Sequence, residues 1–340
     1  MNTIHIPGFE IGGKRTFVIA EIGSNHMQDL SLAKESIDAA AESGADAVKF
    51  QSIQLDELYH NPSPETAAFI KQLEFPEDWH YILKEYCEKR NIVFFSSPTY
   101  LKAVDLLEDV NVLLYKLASA QIGTFPQLVE KVAKLNKPTI FSTGISAYND
   151  IIKAINIFRQ NNNDKFIILH CNSIYPTPPD RVNMNLMNTY KQMFGNPVGF
   201  SDHTNGTHIS CSAVAMGASV IEKHFTLDRR LNSPDSNSFA SDPKEFKLLV
   251  QEIRDIESVK NKFADRLEIE SEESDFKESI LYRFVASKDL SKGQVINASD
   301  VKFLRSKEGI NCMDTGAVIG KIINAPIKKN DIIERSFLYE

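Results

Sequence analysis

The chain has 340 residues, with 38 Lys and Arg against 45 Asp and Glu, a formal charge of −7. No basic excess exists to neutralise phosphates, so nucleic acid is excluded as the main partner, while a small anion needs only a local cluster of cations. The length predicts one large domain plus a smaller one. Cys87, Cys171, Cys211 and Cys312 form no CxxC pair, which suits a reducing cytosol. Residues 1–16 lack an apolar signal core and no apolar run reaches membrane length, so a cytoplasmic protein without a membrane partner is expected.

In chain order, Phe17-Val-Ile-Ala-Glu21 is a continuous apolar run, as for a strand buried on both faces. It ends in a polar cluster reaching His26. Residues 30–43 have helical periodicity and stop at Gly44. The alternation then repeats. Strands are predicted at 46–51, 91–95, 112–115, 138–141 and 165–169, with helices between them, for example at 78–89 and 125–135. Each strand stops in polar residues: Lys49 and Gln51, Ser96 and Ser97, Lys116 and Ser119, Ser142 and Thr143, His170 and Ser173.

The stretch 199–225 is the most informative. Gly-Phe-Ser-Asp-His-Thr ends one strand at Ser201, Asp202 and His203; a small-residue helix follows; then Val-Ile-Glu-Lys-His ends the next strand at Glu222 and His224. Two strands joined by a helix are parallel with a right-handed crossover. His203 and His224 therefore meet at one sheet edge, which proposes a metal site. Eight β units alternating with helices over about 250 residues predict a (β/α)8 TIM barrel, whose active face lies at the C-terminal strand ends. A doubly wound sheet is the rival, but no G-x-G-x-x-G follows the first strand.

From residue 261 the pattern dissolves into charge, then resumes as short strand-like pieces. The predicted domains are a barrel over 1–260, a charged linker over 261–280 and a small β domain over 281–340. On the barrel face, Lys49 and Lys116 with Ser97, Ser119, Ser142 and Ser201 suit a phosphate and a carboxylate together. Glu21, Asp202 and Glu222 supply carboxylates. A divalent ion on two histidines keeps open positions for water or substrate, an arrangement for Lewis-acid catalysis. On these grounds an aldolase, an isomerase and a phosphatase fit equally well.

Ala20-Glu-Ile-Gly-Ser-Asn-His26, Lys49-Phe-Gln51, Ser96-Ser-Pro98, Tyr115-Lys116, Ser142-Thr-Gly144, Tyr175-Pro-Thr-Pro178, Ser201-Asp-His-Thr204 and Glu222-Lys-His-Phe225 together resemble the sialic acid synthase family. The tail resembles the antifreeze-like SAF domain those enzymes carry. The resemblance implies condensation of phosphoenolpyruvate with N-acetylmannosamine or a related N-acetylated amino sugar, releasing phosphate. Relatives making legionaminic or pseudaminic acid from a diacetamido-trideoxyhexose share the core motifs. It implies Lys49, Ser97, Lys116, Ser119, Ser142 and Ser201 for phosphoenolpyruvate, with Ser173 also binding substrate. His203 and His224 would hold Mn2+, or Mg2+ or Co2+. Glu21, Gln51, Tyr175, Glu222 and Asp235 would face the sugar, water or reacting centre. Glu21, Glu222, Tyr175 and Asp202 are the implied catalytic set. Arg305 would reach from the SAF domain into the partner's site in a domain-swapped homodimer. The chain departs from the family pattern at Gln121, at Ser233, around Arg305 and in a short 52–72 segment, all in regions implied to touch sugar or cap. The rival of another class is a sugar-binding SAF protein on an inactive barrel.

Overall fold

Eight parallel strands carry the first half of the molecule's architecture. The computed structural model describes residues 3–231, 233–236, 238–260 and 269–339. A hairpin, β1 (Ile4–Ile6) and β2 (Phe9–Ile11), precedes the barrel strands. These are β3 (Phe17–Gly23), β4 (Ala47–Ser52), β5 (Val93–Pro98), β6 (Tyr115–Leu117), β7 (Thr139–Ser142), β8 (Phe166–Cys171), β9 (Val198–Asp202) and β10 (Val220–His224). Parallel ladders join them in the order β5-β4-β3-β10-β9-β8-β7-β6, and β5 contacts β6 to bring the two ends together. The result is a near-closed barrel with helices outside, as the alternating pattern predicts.

Alternation along each strand divides the side chains between two cores. Val18, Ala20, Val48, Phe50, Phe94, Phe141, Ile168, Phe200 and Ile221 point outward and pack under the helices. Phe17, Ile19, Ala47, Phe95, Ile140, Ile167, Leu169 and Val220 fill the lower interior. Each Val, Leu, Ile or Phe among them contributes about 1.5–3 kcal/mol when fully buried. Ile4, Ile6 and Ile11 of the hairpin join this inner cluster. Sequence periodicity missed the hairpin, because three-residue strands are too short to show alternation.

One strand is shorter than predicted. β6 begins at Tyr115 rather than at 112. Its edge toward β5 carries no ladder, so the segment before it is buried but not paired.

The chain divides into two compact units, 1–262 and 263–340. Part of the predicted linker, 261–268, lies outside the described residues. Its remainder contains a helix, Ser271–Ser279, with no buried residue. Glu272 and Glu273 in its first turn and Lys277 in its last suit the helix dipole. The second unit has its own core, including Phe284, Leu290, Ile296, Ile323 and Ile333. β11 (Tyr282–Ala286) and β12 (Val301–Arg305) form its antiparallel pair.

Candidate active site

Above the apolar floor, the same inward positions turn polar. Going up β3 the interior residues are Phe17, Ile19, Glu21; on β4, Ala47, Lys49, Gln51; on β10, Val220, Glu222, His224. The pleat therefore gathers the polar members, Glu21, Lys49, Gln51, Glu222 and His224, above the apolar ones. They line a cavity of about 450 Å3 at the C-terminal strand ends, with Ser97, Lys116, Ser119, Ser142, Ser173, Tyr175, Ser201 and His203.

Four buried charges alternate across it. Lys49 Nζ lies 2.8 Å from Glu21 and 3.7 Å from Glu222. Lys116 Nζ lies 2.9 Å from the other oxygen of Glu222. Ser201 Oγ donates to that same oxygen at 2.9 Å, and Gln51 Nε2 donates to Glu21 at 2.8 Å. The chain Glu21–Lys49–Glu222–Lys116 is neutral as a whole, which offsets the cost of burying each charge. Both lysines are at most 3 % exposed. Ser97 Oγ and Ser142 Oγ have no protein partner, so two hydroxyls and two ammoniums are available to anionic oxygens. Gly144 matters here. Its N–H donates to Ser119 Oγ at 2.8 Å, and a Cβ would sit 2.2 Å from Ser173 Oγ.

The two glutamates are driven apart. Burial pushes Glu21 up to about 7, with Lys49 pulling the other way. Burial also works to raise Glu222, but Lys116 and Lys49 outweigh it and hold the carboxyl down to about 2. Burial lowers Lys116, only partly opposed by Glu222. For Lys49, burial is outweighed by Glu21 and Glu222, and the shift is upward. A pair of carboxyls separated in this way can divide proton transfer from charge stabilisation.

The imidazoles of His203 and His224 have centroids 5.2 Å apart. His203 Nδ1 donates to the Asn172 carbonyl at 2.7 Å, leaving Nε2 with its lone pair. Burial holds His203 to about 4, and burial with His203 beside it lowers His224 well below the ordinary range. Both rings are neutral, as ligands must be. His224 Nδ1 is buried without a hydrogen-bond partner; Asp235 Oδ2 is 3.9 Å away, too far for a hydrogen bond. Among the described residues no three His, Cys, Asp or Glu side chains converge for a metal. The unpartnered His224 Nδ1 and the lone pair left on His203 Nε2 suit an ion with two protein ligands and several exchangeable positions.

Tyr175 packs against His203 at a tilt of 37°, ring centroids 4.2 Å apart. Asp235 approaches from the loop after β10 beside Gly23, whose φ is +55° and where a Cβ would lie 2.8 Å from the carboxylate. Burial raises the Asp235 carboxyl. Arg305 belongs to the second unit, exposed at the end of β12, its guanidinium 5.5 Å from the Tyr282 ring centroid.

Asp202 requires a correction. Expected among the catalytic groups, it does not line the cavity. It falls on the outward side of β9, between inward Ser201 and His203, and pairs with Lys223 at 3.1 Å. Strand alternation could have excluded it. Residues that the sequence reading did not place on the wall include Cys171, inward on β8, and Thr99 and Ile145 in the loops, whereas Gln121 and the 52–72 segment, through Leu58 and Tyr59, line it as the resemblance implied. Cys171 was accessible from the same alternation; the loop residues gave no periodic signal.

Residues 36–264 match the NeuB family and residues 284–338 match the SAF domain. The chain belongs to the NeuB family. This NeuB chain is 40% identical over 321 residues to an uncharacterised protein of Methanocaldococcus jannaschii, covering 94% of each. It is 37% identical over 336 residues to N,N'-diacetyllegionaminic acid synthase of Campylobacter jejuni, covering 94% of this chain and 99% of that one. Among solved structures, N-acetylneuraminic acid synthetase of Leptospira borgpetersenii superposes with a TM-score of 0.75 at 35% identity, covering 82% of this chain and 95% of that one.

Proposed function

We propose that the protein condenses phosphoenolpyruvate with an N-acetylated amino sugar to form a nonulosonic acid, releasing phosphate. The observation that carries this reading is the convergence of buried Lys49 and Lys116 with the unpartnered hydroxyls of Ser97 and Ser142 at the barrel mouth. That set suits a ligand bearing both a phosphate and a carboxylate. The names of the NeuB relatives support the same class of product.

In this reading C3 of phosphoenolpyruvate attacks the aldehyde carbon of the open-chain sugar, forming the new C–C bond. Water adds at C2, and the C2–O bond to the phosphoryl group breaks. His203 and His224 would hold a divalent ion, Mn2+ before Mg2+ or Co2+, which would supply Lewis-acid polarisation when bound. Lys49 and Lys116 each have three N–H donors, enough to bind the anion while staying beside Glu222. Glu222 stays ionised and opposes the positive charge that develops at C2. Glu21, poised near neutrality, is the carboxyl able to move a proton. Gln51, Ser173, Tyr175 and Asp235 orient the sugar and water.

The rim favours one sugar class. Leu58, Tyr59, Ile145 and Tyr175 form an apolar mouth over the polar floor. A diacetamido-trideoxyhexose offers a methyl where N-acetylmannosamine offers a hydroxymethyl, and suits that mouth better. The test is phosphate release from phosphoenolpyruvate across a panel of 2-acetamido sugars, with the product mass read for each. Release with the trideoxy sugar at a higher kcat/KM supports the reading. Release with none would leave a sugar-binding protein on an inactive barrel.

We also place the enzyme in the cytoplasm as a homodimer in which the partner's SAF unit completes the site through Arg305. Mixing Arg305→Ala with His203→Ala subunits, each inactive alone, restores activity in mixed dimers if so. Verified heterodimers without activity exclude the swap.

A further inference from the structure

We propose that the buried Asp202–Lys223 pair is a clamp that positions the two histidines, and that its role is metal affinity rather than chemistry. The inference rests on reading His203 and His224 as metal ligands. Each member of the pair directly precedes one histidine in sequence. Asp202 is 0 % exposed and Lys223 1 %. Both sit on the outward side of their strands, behind the barrel wall, while their successors point into the cavity.

Regular pairing ends here. β9 stops at Asp202, and the β9–β10 register ends with Lys223 opposite Asp202. His203 therefore has no ladder of its own. The clamp takes over. Asp202 Oδ1 accepts from the Thr204 N–H at 2.7 Å, and Oδ2 accepts from Ser210 Oγ at 2.6 Å and from Lys223 Nζ at 3.1 Å. Lys223 Nζ donates also to the Thr204 carbonyl at 2.7 Å. The backbone on both sides of His203 is thus tied to the residue before His224. The ammonium is the only group in this network that crosses from one strand end to the other. Partners hydrogen-bonded directly to a ligand typically change metal affinity 10- to 100-fold when altered; the clamp acts through the backbone, so the lower end of that range is expected.

Removing one partner leaves a lone buried charge and endangers folding. The decisive variant therefore neutralises both, Asp202→Asn with Lys223→Met, in the full-length protein. Ile221→Val serves as the control, since it loosens the same outward face of β10 without touching the network. Mn2+ affinity is measured by calorimetry, stability by urea unfolding. The clamp predicts a folded double variant that binds Mn2+ at least about 10-fold more weakly, with phosphoenolpyruvate saturation unchanged and Ile221→Val binding Mn2+ like the parent. Parent-like Mn2+ affinity in the folded double variant overturns the clamp. So does weakening that Ile221→Val reproduces at matched stability. If the parent itself binds no Mn2+ that His203→Ala abolishes, the metal reading fails and the clamp falls with it.

Discussion

The lower and upper halves of the barrel interior are built on the same inward positions of the same strands, yet they do opposite things. Below, Phe17, Ile19, Ala47, Ile140, Ile167 and Val220 make a dry core closed by the N-terminal hairpin. Two residues further along, Glu21, Lys49 and Glu222 line a cavity of alternating charge, with His224 above them. Burying hydrocarbon stabilises the fold, whereas burying ion pairs is neutral or costly against an apolar replacement. The upper half is therefore accounted for by what it binds, the lower by what it holds together.

The largest expected effect separates the halves outright. His203→Ala or His224→Ala lowers turnover by more than about 100-fold, beyond the usual loss for an outer-shell partner, while the unfolding midpoint stays near the parent's. Full activity after exhaustive chelation of the parent would remove the metal from the account. In the opposite half, Ile167→Ala costs about 2–5 kcal/mol of stability in urea unfolding and leaves the KM for phosphoenolpyruvate where it was. A changed KM would show that the floor and the cavity are not independent.

Lys49→Ala and Lys116→Ala come next. Each removes a charge-assisted contact of about 1.5–3 kcal/mol, or roughly 10- to 150-fold in the KM for phosphoenolpyruvate, with a far smaller change for the sugar. Unchanged phosphoenolpyruvate saturation in both would move the anion site elsewhere.

The smallest effect is graded with pH. Burial holds His26 and His170 to about 4, against an ordinary 6.5. Between those values the unfolded chain binds protons that the folded chain refuses, so their contribution is full above 6.5 and is lost as pH falls toward 4. The slope is at most about 1.4 kcal/mol per pH unit for each group. Glu21, raised to about 7, works the other way from 4.5 upward. Urea midpoints at pH 7 and 5 read the balance: His203, also held to about 4, joins His26 and His170 against Glu21, stability is lower at pH 5, and His170→Gln flattens the slope.

Much of the barrel was legible because its strands are buried on both faces and stop abruptly. Runs such as 17–21 and 165–169, each ending in polar residues, mark both the strand and the edge where the cavity forms. Parallel crossovers then put His203 beside His224 without any knowledge of coordinates. Adjacency misled at Asp202, which shares a motif with Ser201 and His203 but not a face. Within one strand, period two should have overruled the motif. The hairpin that plugs the floor was hidden for a different reason: Ile4, Ile6 and Ile11 look like scattered apolar residues until the barrel supplies something to cover.

The amino-acid order alone determined which residues lie at the strand ends, since burial on two faces demands uninterrupted hydrocarbon and the chain turns polar where that burial stops. Only the tertiary structure decided who pairs with whom. Lys49 bridges Glu21 and Glu222 because β3, β4 and β10 are neighbours. Lys116 reaches Glu222 across the barrel although 106 residues separate them in the chain. The opposite drift of the two glutamates follows from those distances: similar burial, but one lysine close to Glu21 and two acting on Glu222. Coulombic coupling depends on separation in space and on the water excluded between the charges, and neither is written in the order of residues.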